Sequence, residues 1–510
     1  MKFNLKIFNR NKAVETVTNY QGETAYKLTP AMELYAAVAA TSLSDTFYEK
    51  GDKRVERLRA LIAANDAAYV GKLAVYAREK MNLRSVPLVL AVELAKASQG
   101  NATVSKTVNR VVQRADEITE LLAYYQFANG RTKVKKLNRL SKQVQKGLAQ
   151  AFNKFDEYQF AKYNRAAEVK LRDALFLVHP KAKDEAQQAL FNKIAKDELS
   201  TAYTWETQLS QAGQATYETA EARDAAFAGK WEEMIMSGKL GYMATLRSLR
   251  NILQAKVSAA AIEKVCAYIA DANAVAKSKQ FPFRFVSAYR ELKYESSGYT
   301  AQMLDALEDA ARASAANIAG YYSNTRVKVA VDFSGSMQTA VSGKSTVMMY
   351  EVGLILAMLL KSRCANVTTG IFGDTYKEVQ VPSKSILANV ETFRSRLGEV
   401  GHSTNGYLVI KNLIDRKEVV DKVMVFTDMQ MWNSNGSYGS TIASEWKKYK
   451  QIAPKAKIYL FDLAGYGNTP IQVEANDAYL IAGWSDKVFD VLAAIENGSD
   501  AVAEIEKIEL

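Results

Sequence analysis

The sequence predicts a multidomain protein in which an all-α helical-repeat region precedes an α/β doubly wound domain. At 510 residues the chain exceeds what one hydrophobic core usually supports. Residues 1–320 contain only four prolines and are rich in Ala, Leu, Glu, Lys and Arg, which favour helices. Residues 321–510 alternate valine-rich strands with helical segments, as doubly wound sheets do. We therefore expect one domain over 1–320 and another over 321–510.

Short helices joined by short loops are predicted throughout the first domain. Thr29 and Pro30 form a helix start signal, a capping residue followed by proline at the first helical position. The next predicted helices span 31–42, 55–65, 67–81 and 86–98. This spacing favours stacked helix pairs. A helical bundle is the alternative, because no sharp sequence repeat is present.

The net positive charge of the chain lies entirely in this helical region. Residues 1–320 carry 47 Lys and Arg against 34 Asp and Glu, whereas residues 321–510 carry 20 against 21. Such an asymmetry points to a polyanionic partner for the helical region, with nucleic acid as the default candidate.

The most basic stretch, residues 131–146, contains seven Lys or Arg and no acidic residue. If it forms one helix, a cationic stripe lies opposite a face of Leu and Val that docks on the core. The stripe consists of Lys135, Arg139, Lys142 and Lys146. A charged helix face is usually only solvated, but such faces normally mix signs. We therefore favour phosphate contact.

A second basic cluster, between residues 158 and 181, interleaves cations with Tyr158 and Tyr163. Single-stranded nucleic acid prefers this mixture, because bases stack on rings while cations contact phosphates. The candidate RNA-binding residues here are Lys162, Arg165, Lys170, Arg172 and His179. For His179, which precedes Pro180, capping the end of a helix is the alternative role.

Cysteine content and apolar patterning restrict the compartment. Cys266 and Cys364 are the only cysteines, which excludes a disulfide framework and a thiolate metal cage and favours a reducing cytoplasm. Residues 1–12 alternate apolar and polar residues, unlike a signal peptide. No apolar run is long enough to span a bilayer. We expect a cytoplasmic protein with no membrane partner.

A valine-rich strand at residues 327–331 leads into the motif Asp332-x-Ser334-x-Ser336. β-Branched residues on both faces suit a buried parallel strand, and ligands bind at the C-terminal edge of such sheets. One carboxylate and two hydroxyls supply hard oxygen ligands, which favour Mg²⁺, Mn²⁺ or Ca²⁺ over zinc. In the alternative, Ser334 and Ser336 only cap the next helix.

Other segments complete the doubly wound sheet. Further strands are predicted at 422–427, 367–372, 457–463 and 478–481. Helices between or after them are predicted at 350–363, 407–414, 442–450 and 487–495.

The strand at 422–427 ends in Asp428, and Thr404 lies in a turn-rich segment before it. Together, Asp332, Ser334, Ser336, Thr404 and Asp428 resemble the metal-ion-dependent adhesion site of von Willebrand factor A domains. The resemblance implies that they hold a divalent ion, Mg²⁺ before Mn²⁺ or Ca²⁺. One position would stay open for an Asp or Glu of a protein partner. Because His402 and Ser403 stand where small glycines are usual, Ser403 is the alternative ligand to Thr404.

Four segments resemble the TROVE module of the Ro autoantigen family: 66–90, 178–181, 237–251 and 281–290. That family joins a HEAT-like ring of helical repeats to a von Willebrand factor A domain, the order inferred here. The resemblance, to a bacterial-type member, implies a monomeric ring. Its basic hole would bind single-stranded 3′ ends of misfolded RNAs, and its outer surface small structured noncoding RNAs, the Y RNAs. One departure is that Pro180 precedes Lys181 where the family has Lys-Pro.

The segments that resemble enzyme motifs lack residues that those motifs require. Residues 342–346 echo the end of a phosphate-binding loop, but Gln338 stands where that motif requires glycine. No histidine is placed to activate Ser334, and metal-dependent nucleases usually gather several carboxylates around two ions. We predict a non-catalytic RNA-binding protein of RNA quality control or processing. The alternatives are a metal-dependent protein-adhesion or scaffold module and a divalent-metal nuclease.

Overall fold

The computed structural model describes residues 15–40, 46, 48–98, 100–130, 140–164, 167–343, 345–434, 440–473 and 475–510. These residues form two compact units. The α/β unit comprises the described residues up to Gly51 together with 320–382 and 391–484, and the helical unit comprises 52–319, 383–390 and 485–510. Both units thus combine segments that are far apart in the sequence, whereas the predicted division at residue 320 is a single cut along the chain.

The elements of the described residues, in chain order, are β1 (Thr16–Thr18), β2 (Thr24–Lys27), α1 (Pro30–Ala39), α2 (Gly51–Ala63), α3 (Ala67–Glu79), α4 (Ser85–Ala97), α5 (Ala102–Val111), α6 (Ala115–Ala128), α7 (Lys142–Phe152), α8 (Glu157–Tyr163), α9 (Leu171–Val178), α10 (Glu185–Lys196), α11 (Trp205–Gln214), α12 (Ala220–Met236), α13 (Tyr242–Gln254), α14 (Ala259–Ala270), α15 (Ala272–Ser278), α16 (Phe283–Leu292), α17 (Thr300–Ser314), β3 (Arg326–Asp332), α18 (Met349–Arg363), β4 (Asn366–Phe372), β5 (Tyr376–Glu378), α19 (Leu387–Arg394), α20 (Tyr407–Asp415), β6 (Lys422–Thr427), α21 (Ile442–Ile452), β7 (Lys457–Asp462), β8 (Asn468–Thr469), β9 (Ala478–Ala482), α22 (Val488–Glu496) and α23 (Ala501–Glu506). The four helices predicted between residues 31 and 98 correspond to α1–α4 with shifted ends.

Helices begin where a side chain can accept hydrogen bonds from the free N–H groups of the first turn. Thr29 caps α1 and Pro30 occupies its first turn, which confirms the predicted start signal. Asp66 caps α3, where its Oδ1 accepts from the N–H groups of Ala68 and Tyr69 at 2.8 and 3.3 Å. These local signals explain why helix positions in this region are predictable from sequence.

In the first part of the helical unit, each helix from α3 to α7 packs on the next but one along the chain. Helix α3 contacts α4 and α5, α4 also contacts α6, and α5 contacts α7. Glycines allow the closest approaches. A Cβ on Gly71 of α3 would lie 2.8 Å from Thr107 Oγ1, and one on Gly147 of α7 would lie 2.6 Å from the Ser105 carbonyl oxygen. Helix α5 therefore packs closely against α3 on one side and α7 on the other, with a glycine at each contact. This is the stacked helical-repeat arrangement that the sequence predicts.

The main sheet has the order β5-β4-β3-β6-β7-β9, and all strands are parallel except β5. Strand β3 lies in the middle, since the chain adds β4 on one side of it and β6 on the other. In the register of β3 and β6, Val331 lies beside Phe426. The strand ends at Asp332 and Thr427 therefore meet at the switch point of the sheet, where doubly wound folds bind ligands.

Contacts between distant parts of the sequence explain why each unit contains segments from opposite ends of the chain. Strand β2 pairs with β8 in a small antiparallel sheet. The buried Tyr35 hydroxyl donates to the Ala482 carbonyl oxygen at 3.1 Å. At the other end of the chain, α23 packs on α3, and Lys72 Nζ contacts Glu506 Oε2 at 2.8 Å. Local sequence patterns do not reveal such pairings, because neither partner has a distinctive sequence of its own.

Candidate metal centre and RNA interface

The Asp332-x-Ser334-x-Ser336 motif forms a tight loop at the C-terminal end of β3. The Ser334 N–H donates to Asp332 Oδ1 at 2.9 Å, and the hydroxyl oxygens of Ser334 and Ser336 lie 3.2 Å apart. Neither serine caps a long helix, because α18 begins only at Met349 and the 3₁₀ turn at 336–338 has no side-chain cap. The two hydroxyls therefore gather beside the carboxylate, and the capping alternative is excluded.

Two backbone hydrogen bonds join this loop to the other two predicted loops. The Gly335 N–H donates to the His402 carbonyl oxygen at 2.9 Å, and the Trp432 N–H donates to the Thr404 carbonyl oxygen at 3.2 Å. The segment that carries Thr404 thus lies between the loop after β3 and the loop that carries Asp428. Thr404 itself is buried.

Ser403, the alternative ligand, is engaged elsewhere. Its N–H donates to Asp374 Oδ1 at 2.7 Å. Its side chain also hydrogen-bonds Asp374 and helps to hold the pKa of that carboxyl below its usual range. Of the two residues, Thr404 is therefore the one available to the candidate centre.

Two carboxylates in this cluster are almost completely buried. Burial and the neighbouring charge of Asp428 raise the pKa of Asp332, and burial raises the pKa of Asp428. Asp428 Oδ1 accepts from the Gln430 N–H at 3.0 Å, whereas Oδ2 has no hydrogen-bond partner among the described residues. An orphaned, buried carboxylate oxygen beside a second carboxylate fits a divalent cation. Oxygen-only donors fit Mg²⁺, Mn²⁺ or Ca²⁺.

A contact that the sequence did not reveal comes from the N-terminal segment. The Gln21 side-chain amide donates to the Tyr48 hydroxyl, and the nearby Ser336 hydroxyl acts to lower the pKa of Tyr48. Burial, followed by the charge of Asp428, raises the pKa of the Tyr48 hydroxyl. No motif surrounds Tyr48, so only the tertiary structure places this residue at the site.

The predicted basic helix over 131–146 is interrupted. Ser141 has an extended backbone, and α7 begins at Lys142. Lys135 and Arg139, the first two residues of the predicted stripe, lie outside the described residues. Lys142 and Lys146 are exposed on α7, while Val144 and Leu148 are fully buried. In the helical part of the stretch, the prediction that Leu and Val face the core while the lysines face solvent is therefore confirmed.

The second basic cluster lies mainly on α8 and α9. Lys162 is half-buried in the last turn of α8; Lys170, Arg172 and His179 are exposed at the start, first turn and end of α9. Arg165 lies outside the described residues. His179 ends α9 in a left-handed conformation with φ of 49°, and its N–H donates to the Leu175 carbonyl oxygen at 2.9 Å. It thus fills the helix-capping position and still presents its ring to solvent.

Helices α7 and α9 are neighbours, which brings the two basic groups together. Gln145 Nε2 donates to the carbonyl oxygen of Val178 at 3.2 Å, at the C-terminal end of α9. Helix α6 also contacts α7, α8 and α9. Lys142, Lys146, Lys162, Arg172 and His179 therefore belong to one group of four adjoining helices, which we call the α6–α9 surface.

Exposed aromatic rings accompany these cations. Phe176 is 51 % and Tyr158 is 47 % exposed. The Arg172 guanidinium carbon lies 5.8 Å from the Phe176 ring centroid, and Lys162 Nζ lies 5.8 Å from that of Tyr158. Sequence reasoning missed Phe176, although its spacing of four from Arg172 places both on one helix face.

Two more features of this surface were missed. The Arg114 guanidinium carbon lies 4.4 Å above the Tyr163 ring centroid. Phe127, at the end of α6, is 65 % exposed. A cleft of about 410 Å³ opens beside Lys162 and is lined also by Asn164, Ser200 and Thr204. The α6–α9 surface thus combines cations, open ring faces and hydrogen-bonding groups.

Comparison with known proteins assigns the family. Residues 31–227 and 198–330 match the TROVE domain, and residues 326–495 match the Ro60 vWA domain. The chain belongs to the Ro family. Membership identifies this Ro-family protein as an RNA-binding protein of the ribonucleoprotein class, with a helical-repeat region and a von Willebrand factor A domain.

Relatives agree with this architecture. The crystal structure of the Deinococcus radiodurans RO (RSR) protein superposes with a TM-score of 0.56 at 18% identity, covering 91% of this chain and 99% of that one, which shows a shared fold. Telomerase protein component 1 of Rattus norvegicus is 24% identical over 307 residues, 47% of this chain and 12% of the relative. The Mus musculus protein is 24% identical over 297 residues, 45% of this chain and 11% of the relative. The Ro-family chain thus matches only a small part of these long proteins.

Among the described residues of this Ro-family protein, no helix has the length and apolar character needed to cross a bilayer.

Proposed function

We propose that this Ro-family protein is a cytoplasmic, monomeric, non-catalytic RNA-binding protein that holds single-stranded 3′ ends of misfolded or small structured noncoding RNAs, of Y RNA type. Its role would lie in RNA quality control or processing. The observation that supports this proposal best is the pairing of cations with half-exposed rings on the α6–α9 surface, namely Arg172 with Phe176 and Lys162 with Tyr158.

This pairing suits single strands better than duplexes. A half-exposed ring can stack on an unpaired base, while the cation beside it contacts the adjoining phosphate. In an RNA duplex the bases are already stacked on one another, so their faces are not available to an aromatic ring. Lys142, Lys146, Lys170 and His179 would extend the phosphate contacts along α7 and α9, and the predicted Lys135, Arg139 and Arg165 would add to them.

The metal centre has a separate part in the proposal. Asp332, Ser334, Ser336, Thr404 and Asp428 would hold one divalent ion, Mg²⁺ first, directly or through water. A bound ion would supply positive charge that attracts the carboxylate of a protein partner. The buried carboxylates position that charge, and the orphaned Asp428 Oδ2 supports the assignment.

Binding of a duplex RNA with and without a single-stranded 3′ tail, titrated with salt, tests the RNA role. We expect the tail to tighten binding, a steep salt dependence, intact RNA afterwards, and little effect of chelator. The double variant Lys162→Ala/Arg172→Ala should lose most of the gain from the tail. Lys277→Ala/Arg312→Ala removes the same charge from exposed positions of the helical unit and should retain it. If both variants lose the same part of the affinity gained from the tail, binding depends on the net charge of the helical unit and not on the α6–α9 surface.

The convergence of five metal-type side chains favours a second candidate, a metal-dependent protein-adhesion or scaffold module. This candidate predicts binding to acidic proteins that Asp332→Ala abolishes, with no preference for tailed RNA. A nuclease, in contrast, would shorten the RNA in magnesium and stop in chelator. The same set of binding reactions separates all three.

A further inference from the structure

Helices α13 and α16 carry positive charge that the α6–α9 surface does not include. They lie within two stretches of the chain, 234–262 and 272–290, that together contain eight Lys or Arg and no Asp or Glu. The two helices pack against each other. Solvated helix faces normally mix signs, so two acid-free stretches in contact indicate a surface that meets an anion.

Side-chain pairs near the C-terminal ends of α13 and α16 show how the two helices lie. The Arg250 guanidinium contacts the Glu291 carboxylate, and Gln254 Nε2 donates to Glu295 Oε1 at 3.2 Å. Both pairs join residues that are 41 positions apart. The helices therefore run side by side in the same direction, and the acids at this end are engaged.

Arg247 and Arg284 extend the same row toward the N-terminal ends of the two helices. Arg247 lies one helical turn before Arg250, and Arg284 lies two turns before Glu291, so each shares the face that carries the pairs. The separation of 41 places Arg284 beside Met243, one turn from Arg247. Both arginines are exposed, and in the part of the chain that the structure describes neither forms an ion pair.

The two positive charges are close enough to act on each other. Although the Arg284 side chain reaches solvent, burial of part of it and then the charge of Arg247 lower its pKa. The Arg284 guanidinium carbon lies 5.2 Å from the ring centroid of the buried Phe283, which restricts its orientation. An anion beside both guanidinium groups would remove the repulsion, and the planar fork of arginine suits the oxygens of a phosphate.

We propose that Arg247 and Arg284 form a phosphate clamp that holds the backbone of the same RNA strand beyond the α6–α9 surface. This inference deepens the proposed function and rests on it. Contacts to phosphates carry no base information, so the clamp would act on any sequence. RNA is favoured over an acidic protein because the same compact unit carries the cations and open rings of the α6–α9 surface.

The clamp predicts that affinity depends on the length of the 3′ tail. Helices α10–α12 separate the α6–α9 surface from α13 along the chain. A short tail would therefore contact the α6–α9 surface alone, whereas a longer tail would reach the clamp as well. We expect the affinity of the unaltered protein to rise in two steps as the tail is lengthened.

Duplex RNAs with tails of increasing length test the clamp, with binding to the full-length protein measured by fluorescence anisotropy over a range of salt. Arg247→Gln/Arg284→Gln keeps most of each side-chain stem and removes both charges. It should abolish the second step and keep the first. For the longest tail, the slope of log affinity against log salt should become shallower by about 1.4, roughly 0.7 for each lost phosphate contact, which corresponds to about 25-fold weaker binding at about 0.1 M salt.

Arg223→Gln/Arg312→Gln is the matched control. Arg223 lies near a ring as Arg284 does, with its guanidinium carbon 5.6 Å from the Phe227 centroid, and Arg312 is 53 % exposed. This variant removes the same charge from the same unit and should keep both steps. Circular dichroism confirms that both variants are folded before RNA is added.

Three outcomes would overturn the clamp. The first is an equal loss in the clamp variant and the control, and the second is a loss as large for the untailed duplex as for the longest tail. The third is binding of polyglutamate that the clamp variant abolishes while its RNA affinity persists, which would assign the surface to an acidic protein. If no tail of any length alters the affinity of the unaltered protein, the proposed tail binding itself fails. A first step without a second means that only the clamp fails.

Discussion

Thr427 Oγ1 donates a 2.7 Å hydrogen bond to Oδ2 of Asp332, across the neighbouring strands β6 and β3. The bond orients the Asp332 carboxylate while the Ser334 N–H occupies its other oxygen. We expect Thr427→Val to weaken Mg²⁺ or Mn²⁺ binding about tenfold, because groups that orient metal ligands contribute on that scale. Titration calorimetry measures the change. Thr369→Val makes the same exchange at a buried position of β4 and should leave metal affinity unaltered; similar losses in both would contradict this role.

The half-exposed Phe176 ring gives a prediction for RNA. Phe176→Ala should weaken binding of the tailed RNA by about 1–3 kcal/mol, the range for one base stacked on an aromatic ring, and leave the untailed duplex unchanged. Fluorescence anisotropy with labelled RNA measures both. The matched control is Tyr294→Ala, since Tyr294 is 76 % exposed and also lies near a cation, Lys293 Nζ at 4.9 Å. A comparable loss of RNA affinity in the control would show that any exposed aromatic ring contributes, wherever it lies on the protein.

Close packing of α5 and α7 gives a prediction for stability. Gly147→Ala should lower the free energy of unfolding by about 1–3 kcal/mol, since the new methyl group meets the rigid Ser105 carbonyl oxygen. Gly229→Ala, in α12, meets no atom within 4 Å and should raise the stability by about 0.5–1 kcal/mol through helix propensity. Urea denaturation followed by circular dichroism distinguishes the two signs. A neutral Gly147→Ala would mean that α5 and α7 can separate at little cost.

The buried lysine of α18 gives a pH dependence. Burial lowers the pKa of Lys361, whose side chain is only 7 % exposed. Between the folded-state pKa and the ordinary value of 10.5 the unfolded chain binds more protons, so stability rises with pH in that window. Lys361→Met should therefore exceed the unaltered protein in stability near pH 7, by about 1.4 kcal/mol for each unit of lowering. This advantage should shrink as the pH approaches 10.5.

Denaturation curves from pH 7 to 10 test this prediction. Lys377→Met, at a half-exposed position of β5, is the control for loss of one positive charge in the same unit. A constant difference between Lys361→Met and the unaltered protein across the range would argue against a charged Lys361 as the source of the destabilisation.

Sequence patterns predict the elements of this protein well wherever the signal is local. Thr29 and Asp66 cap helices, and alternating β-branched residues form β3 in the centre of the sheet. The metal-type residues also follow from local patterns, because strand ends of a parallel sheet converge at one edge. In contrast, the charge pattern of 131–146 carries no information about where a helix begins, and α7 begins only at Lys142, after a non-helical Ser141.

Contacts between residues that are far apart in the chain could not be predicted from the sequence. The Tyr48 side chain lies near Ser336 only because residues far apart in the chain share one unit. Likewise, Arg114 lies over the Tyr163 ring because α6 packs on α8. Each of these side chains is ordinary in its own sequence context, so periodicity and motif spacing cannot single it out.

The long separation between Tyr35 and its partner at Ala482, 447 positions, has a consequence for biosynthesis. A ribosome adds about 5–20 residues per second, so β2 and α1 are synthesised about 20–90 s before the strands they pack on. During that interval the edge of β2 that pairs with β8 is open, and an open edge is prone to associate with other chains. The α/β unit can therefore close only late in translation, and a chaperone that shields the nascent N-terminal segment would raise the yield of folded protein.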